Sequence, residues 1–163
     1  MRYAIGLIGA VLVVGATALP VAQTAPSLQG AWRVTEVVVT GANAATNTSP
    51  QPGLYVFTGQ HYSIITVNTA RKDLGNPSDA AKLTDAEKMA RYEAWNAFTA
   101  NSGTYQISGS TLTTRPMVAK NPGVMGTSAT REFKIDGKTL TLIQKSAAGQ
   151  PASQTTTKLT RLE

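Results

Sequence analysis

Short glycine-containing turns divide the chain into β-branched and aromatic segments, and this spacing limits the possible fold more than any other feature. Asp136-Gly137 is the strongest hairpin signal, and Thr58-Gly59-Gln60 and Ser108-Gly109-Ser110 are turns of a similar kind. Each turn lies between two segments that have the composition of strands. The pattern therefore predicts an all-β protein whose strands are mostly joined as antiparallel hairpins.

The segments between the turn signals give a count of about eight strands. They are residues 33–39, 54–57, 61–67, 103–107, 111–118, 132–135, 139–145 and 154–162. Eight strands in hairpin order favour a closed up-and-down β-barrel, because closure leaves no exposed sheet edge. A sandwich of two sheets is the main alternative. An eight-stranded barrel has an interior that can hold one small ligand.

One segment, residues 83–101, has the pattern of a helix inserted between the third and fourth predicted strands. Thr84 is a good N-cap, and Glu87 completes the spacing of a capping box. Large apolar side chains recur every third residue and wrap about half of the helix; they are Met89, Tyr92, Trp95 and Phe98. We consider two arrangements, a lid whose inner face presents Trp95 to a ligand and ordinary packing on the barrel wall.

The N-terminus has the pattern of a secretory signal peptide. A basic residue, Arg2, precedes an apolar run and then a series of small residues. We assign residues 1–25 to the signal peptide, with cleavage after Ala18 or between Ala22 and Ala25, and residues 26–163 to one domain. An uncleaved anchor is the alternative. The prediction is a periplasmic or extracellular protein with no stable membrane span once the signal is removed.

Composition argues against several function classes. The formal charge is +6, but the basic residues are dispersed rather than clustered, so we expect no nucleic-acid partner. There is no cysteine and only one histidine, His61, so we expect no metal site and an exposed histidine beside a turn. Neither a G-x-S-x-G nor a phosphate-binding G-x-x-x-x-G-K-[ST] motif occurs. We therefore expect no cofactor and no catalysis.

Strand alternation predicts which side chains face the barrel interior. If no bulge intervenes, Glu36 has the parity of Trp32 and Val34, and Arg131 has that of Phe133. Arg131 is then a polar anchor for a carboxylate or phosphate, balanced by Glu36. The alternatives are a buried ion pair, or an arginine that reaches solvent at the barrel mouth. The predicted ligand-binding residues are Val34, Glu36, Tyr105, Arg131, Phe133 and Leu142, with Trp95 at the lid.

The segment Gly30-Ala31-Trp32 resembles the G-x-W motif of lipocalins. Further blocks follow in order, "LQGAWRV", "PGLYVFTGQHYSI", "SGTYQISGSTL" and "GTSATREFKIDGKTLTL", and together they resemble the bacterial secreted lipocalin-like domain family. The resemblance implies a lipocalin-like (calycin) barrel in which Trp32 closes the floor and Arg161 packs over its ring. Gly30 then allows a close approach of the backbone.

The resemblance implies a binding protein, and the residues leave three hypotheses. The first is an exported barrel that binds a small hydrophobic molecule or lipid without catalysis. The second is a non-catalytic scaffold of the cell envelope that binds a partner through loops 40–53 and 119–127. The third is a lipid isomerase or cyclase, for which Glu36 is the one candidate titratable group. Ligand identity and oligomeric state are not predicted.

Overall fold

The computed structural model describes residues 27–163, so the predicted signal peptide lies outside the described residues. Turn-forming residues separate nine strands, one helix and two short 3₁₀ turns. The strands are β1 (Gly30–Gly41), β2 (Ala45–Asn47), β3 (Gly53–Phe57), β4 (His61–Val67), β5 (Phe98–Ser108), β6 (Thr111–Ala119), β7 (Ala129–Asp136), β8 (Thr139–Lys145) and β9 (Ser153–Arg161). The helix is α1 (Asp85–Asn96), and the 3₁₀ turns span Ala80–Lys82 and Pro122–Val124.

Eight of the strands close into one antiparallel barrel, as predicted. The order around the barrel is β1-β3-β4-β5-β6-β7-β8-β9, and β9 pairs again with β1. The added strand, β2, pairs with the second half of β1; the sequence indicated only a loop there. Strands β1 and β9 pair over most of their length, with one register shift between Val34 and Glu36, and this pairing closes the sheet. The alternative of two separate sheets is therefore wrong.

Hairpin order gives the barrel two different ends. The three tight turns at 58–60, 109–110 and 137–138 lie at one end, together with the start of β1 and the end of β9. The longer connections all lie at the opposite end, which we call the mouth; they are residues 42–52, 68–97, 120–128 and 146–152. The helix α1 belongs to the second of these connections, between the third and fourth strands of the barrel.

Large apolar side chains fill the closed end of the barrel. The buried cluster comprises Leu28, Trp32, Val34, Phe57, Tyr62, Ile64, Tyr105, Leu112, Leu140, Leu142 and Leu159. Within it, the rings of Phe57 and Tyr105 meet edge to face with centroids 5.3 Å apart, an arrangement that aromatic pairs favour. The floor of the barrel is therefore a packed core, and any space for a ligand lies toward the mouth.

The helix begins as predicted but ends earlier. Thr84 and Glu87 form the full capping box, each side chain accepting from the other residue's backbone N–H. The predicted continuation to Asn101 is wrong, because α1 ends at Asn96 and the chain enters β5 at Phe98. Residues 98–101 pair with β4, so sheet hydrogen bonds replace those of the expected helix.

Candidate functional site

Trp32 and Arg161 seal the floor of the barrel in the way the resemblance implies. Trp32 is fully buried, and its indole N–H donates to the Leu28 carbonyl at 2.8 Å. The Arg161 guanidinium carbon lies 4.1 Å from the centroid of the Trp32 ring, and the same group donates to the Gln29 carbonyl at 2.6 Å. Gly30 has a φ of +124°, and a Cβ there would lie 2.7 Å from the Arg161 guanidinium. Glycine is required at this contact.

A β-bulge interrupts β1 just above the floor. Across the barrel seam Val34 pairs with Leu159, but the next paired residue, Lys158, lies opposite Glu36. Thr35 is thus an extra residue on the β1 side, and such a residue shifts the alternation of everything that follows it.

The bulge reverses the expected orientation of Glu36. Val37, instead of Glu36, packs against the core, and the Glu36 carboxylate lies 2.8 Å from the Lys158 ammonium on the outer face. The prediction that Glu36 faces the interior and balances Arg131 is therefore wrong. The isomerase or cyclase hypothesis loses the one residue that supported it.

Neutralising Glu36 should have little effect on stability. Both partners of its ion pair with Lys158 are partly exposed, and such pairs contribute about 0–1 kcal/mol. We expect Glu36→Gln to change the free energy of unfolding in urea by less than about 1 kcal/mol. Lys158→Met should behave in the same way. A much larger loss would mean that the carboxylate is buried, in conflict with the register of β1 and β9.

A cavity of about 330 Å³ opens inside the mouth. Strands β1, β3, β4 and β9 form its wall, and segment 45–51 forms its rim. The lining combines apolar and polar groups. Its apolar part is formed mainly by valines of β1, and its polar part by hydroxyl and amide side chains; the residues are Val34, Val37, Val39, Ala45, Asn47, Pro50, Gln51, Gly53, Tyr55, Thr66, Val67, Asn68 and Thr157. Cavities of this size and character are typical of small-molecule sites.

Arg131 projects into the barrel, as predicted. It shares the parity of Phe133 and Ile135, which both pack against the core. Its guanidinium donates to the hydroxyl of the buried Thr114 at 3.4 Å and to the Gln144 side-chain oxygen at 3.1 Å. These two bonds use only part of a donor set of five N–H groups. Among residues 27–163, no carboxylate forms an ion pair with it.

Two tyrosines share the interior with this guanidinium. Burial raises the pKa of the Tyr55 phenol, and the positive charge of Arg131 opposes that rise. Burial also raises the pKa of Tyr62, against the opposing effects of a Thr114 hydrogen bond and the Arg131 charge. The Tyr62 hydroxyl donates to the Asn101 side-chain oxygen at 2.8 Å. The polar groups of Arg131, Thr114, Tyr55, Tyr62 and Asn101 thus form a belt between the apolar floor and the mouth.

The strand order shows where Arg131 stands relative to the cavity. In the closed order of eight strands, β7 lies four strands from β3 in either direction. Arg131 and Tyr55 therefore stand on opposite walls of the barrel, with Tyr55 in the lining of the cavity and Arg131 outside it. The cavity wall formed by β1 is apolar, β9 contributes the Thr157 hydroxyl, and Arg131 faces the interior from β7.

The other predicted lining residues divide into two groups. Val34 lines the cavity. Tyr105 and Leu142 are buried in the core, and Phe133 packs against it; none of the three is part of the cavity lining. Burial raises the pKa of Tyr105, whose hydroxyl donates to the Thr58 carbonyl at 2.6 Å.

Trp95 lies outside the barrel, so the prediction that it faces an interior ligand is wrong. Its ring meets Phe98 edge to face at 4.8 Å. Phe98 shares the outward parity of Ser102, whose hydroxyl bonds across the outer face to Ser63. Trp95 lines a separate surface pocket between α1 and segment 71–75. No residue of α1 is part of the lining of the interior cavity.

Two observations on the described residues concern a metal site and a membrane-spanning helix. Within residues 27–163, no group of three His, Cys, Asp or Glu side chains is placed to hold a metal ion, and His61 is exposed at the start of β4. In the same part of the chain, no helix has the length and apolar character needed to cross a membrane.

A closed eight-stranded antiparallel barrel, sealed by a G-x-W tryptophan under an arginine and hollow at the other end, is a barrel of the lipocalin type. The family model described as the lipocalin-like domain matches residues 29–162. The chain belongs to this family.

Solved structures of similar fold come from Bacteroides. A lipocalin-like protein from Bacteroides uniformis is 15% identical, with a TM-score of 0.46, and the match covers 83% of this chain and 98% of that one. An uncharacterized protein from Bacteroides eggerthii is 9% identical, with a TM-score of 0.45 and coverage of 83% and 99%. In sequence, no curated protein matches the chain.

Proposed function

We propose that the barrel binds a small, mostly apolar molecule with an anionic head group and carries out no chemistry on it. The observation that carries the proposal is a guanidinium inside the barrel, without a carboxylate partner in the described chain, together with a cavity of about 330 Å³ in the same barrel that has valines in its lining. We also propose that the protein is exported, on the pattern of its first residues.

The two parts of the site suit two parts of one ligand. Apolar side chains such as Val34 and Val37 favour a hydrocarbon body, at about 25 cal/mol per Å² of apolar surface buried. Arg131 offers N–H groups that its two present bonds leave free, and guanidinium binds carboxylate or phosphate through paired hydrogen bonds. Tyr55 adds a phenol that is able to donate to the same head group.

The interior groups support binding rather than catalysis. In the described chain, the titratable side chains that project inward are Arg131 and the tyrosines Tyr55, Tyr62 and Tyr105. Burial raises the pKa of each tyrosine, so all three stay protonated near neutral pH and make poor general bases. Glu36 lies on the outer face.

Filling the cavity should weaken binding. Thr157 lines the cavity and pairs with Val37, whereas Thr156, the next residue on β9, points to the outer face. We expect Thr157→Phe to reduce affinity for a medium-chain carboxylic acid such as decanoic acid at least about tenfold, because the added ring occupies ligand space. Thr156→Phe is the matched control and should leave affinity unchanged in titration calorimetry. Equal affinity in both variants would place the ligand elsewhere.

Native mass spectrometry of protein purified gently from its own host identifies the ligand class. A bound small molecule or lipid in one-to-one ratio, released on denaturation, is the expected result. A ligand-free mass, together with no thermal shift across a panel of lipids and metabolites, would contradict the proposal and favour the scaffold hypothesis.

A further inference from the structure

Large apolar side chains are exposed beside the mouth on one side of the barrel. They come from α1 and, about twenty residues later in the chain, from the end of β6 and the loop that follows it. We call this surface the rim patch; it comprises Tyr92, Trp95, Met117, Val118 and Met125. Val118 is the most exposed, at 68%. Clusters of exposed apolar residues, unlike single ones, mark interaction surfaces.

Backbone and side-chain contacts join the three parts of the rim patch. The Lys120 ammonium lies 5.9 Å from the Trp95 ring centroid and donates to the Asn96 side-chain oxygen at 3.3 Å, which ties the end of β6 to α1. The Gly126 N–H donates to the Pro116 carbonyl at 2.8 Å, which folds the loop back onto β6. These contacts hold α1, the end of β6 and the following loop together on one side of the mouth.

The charges around the rim patch are mainly positive. Glu93 lies beside Tyr92 in α1 and is exposed, but between it and Glu132 the sequence contains no other acidic residue and includes Arg115 and Lys120. Arg71 adds a third cation, with its guanidinium carbon 5.2 Å from the Phe98 ring centroid. A lysine or arginine side chain over an aromatic ring places a positive charge directly beside apolar surface.

We propose that the rim patch docks on the surface of an anionic phospholipid bilayer. Tryptophan and tyrosine favour the boundary between head groups and acyl chains, and nearby lysine and arginine are attracted to anionic lipid. Docking by this surface brings the mouth of the barrel beside the bilayer, since α1 and the loop after β6 both belong to the mouth end. The proposal stands independently of the interior ligand.

A binding assay with lipid vesicles tests the docking surface. The mature chain is sedimented with vesicles of phosphatidylcholine alone and with vesicles that contain about a third phosphatidylglycerol. We expect binding to the anionic vesicles and little to the neutral ones. The double variant W95S/V118S should bind at least about tenfold more weakly, because it removes apolar surface from the patch. The control is Ile107→Ser, an exposed apolar residue at the closed end, which should bind like the parent.

Fluorescence gives a second readout that does not depend on the variants. The chain has two tryptophans, and Trp32 is fully buried in the floor whereas Trp95 belongs to the rim patch. Lipids brominated on their acyl chains should quench Trp95, and Trp95→Phe should remove that quenching while leaving the signal of Trp32. Absence of binding to anionic vesicles, quenching that survives in Trp95→Phe, or equal loss of binding in Ile107→Ser would each overturn the proposal. Capture of a protein partner by the patch, with no vesicle binding, would overturn it as well.

Discussion

Replacing Trp32 with alanine is expected to lower the free energy of unfolding by about 3–5 kcal/mol, the range for truncation of a large buried aromatic residue. The ring is fully buried within a cluster that includes Leu28. Its removal leaves a void at the closed end. The Arg161 guanidinium, which packs on the indole face in the parent protein, then borders that void. The Leu28 carbonyl also loses its 2.8 Å hydrogen bond.

Urea unfolding monitored by far-ultraviolet circular dichroism measures this effect for both tryptophans. Trp95→Ala is the matched control, since that side chain is 55% exposed and should cost about 1 kcal/mol or less. Similar losses in the two variants would mean that the floor is not the main stabilising contact of Trp32. A loss at Trp95 larger than at Trp32 would contradict the assignment of α1 to the outside of the barrel.

Strand positions set by tight turns could be predicted from the sequence. The bounds of β4 and β8 match the prediction, because each strand begins directly after a short glycine-containing turn, at Gly59 or Gly137. The hairpin order in turn determines the strand order of the barrel, since each barrel strand pairs with the next barrel strand along the chain. Local chemistry was sufficient for these parts of the fold.

Features decided by long-range pairing were not predictable. The bulge at Thr35 arises from the match between β1 and β9, which are separated by most of the chain, and nothing local marks it. The sequence predicts helix for residues 98–101, because Phe98 continues the series of apolar residues at every third position of α1. Pairing with β4 prevails over that local preference. The three-residue strand β2 has no apolar alternation to indicate it.

The same limit applies to the candidate site. The inward orientation of Arg131 could be predicted because Arg131 shares the parity of Phe133 and Ile135 and no bulge interrupts the pairing of β7. Val37 was missed because the bulge shifts its parity, and Thr157 was missed because the run of threonines in β9 has no alternation of polarity. Trp95 was placed on the wrong side because periodicity defines a helical face without defining what that face meets.

The second large effect concerns Arg131 and the head group of the ligand. Under the proposed function, we expect Arg131→Gln to weaken the binding of decanoic acid about 100-fold, the loss that follows when one partner of a buried charge pair is removed. The free guanidinium N–H groups beside Thr114 then no longer meet the carboxylate. Binding of decan-1-ol, which has the same chain and no charge, should change by less than about threefold.

Comparing two ligands in two variants separates the anchor from general damage to the fold. Arg115→Gln is the matched control, because Arg115 lies on the same barrel wall but points to solvent from β6. It should leave the affinities for both ligands unchanged in titration calorimetry. Equal weakening of acid and alcohol in Arg131→Gln would show that Arg131 shapes the interior without contacting the head group. Unchanged affinity for the acid would place the head group at the mouth, where solvent rather than guanidinium satisfies its charge.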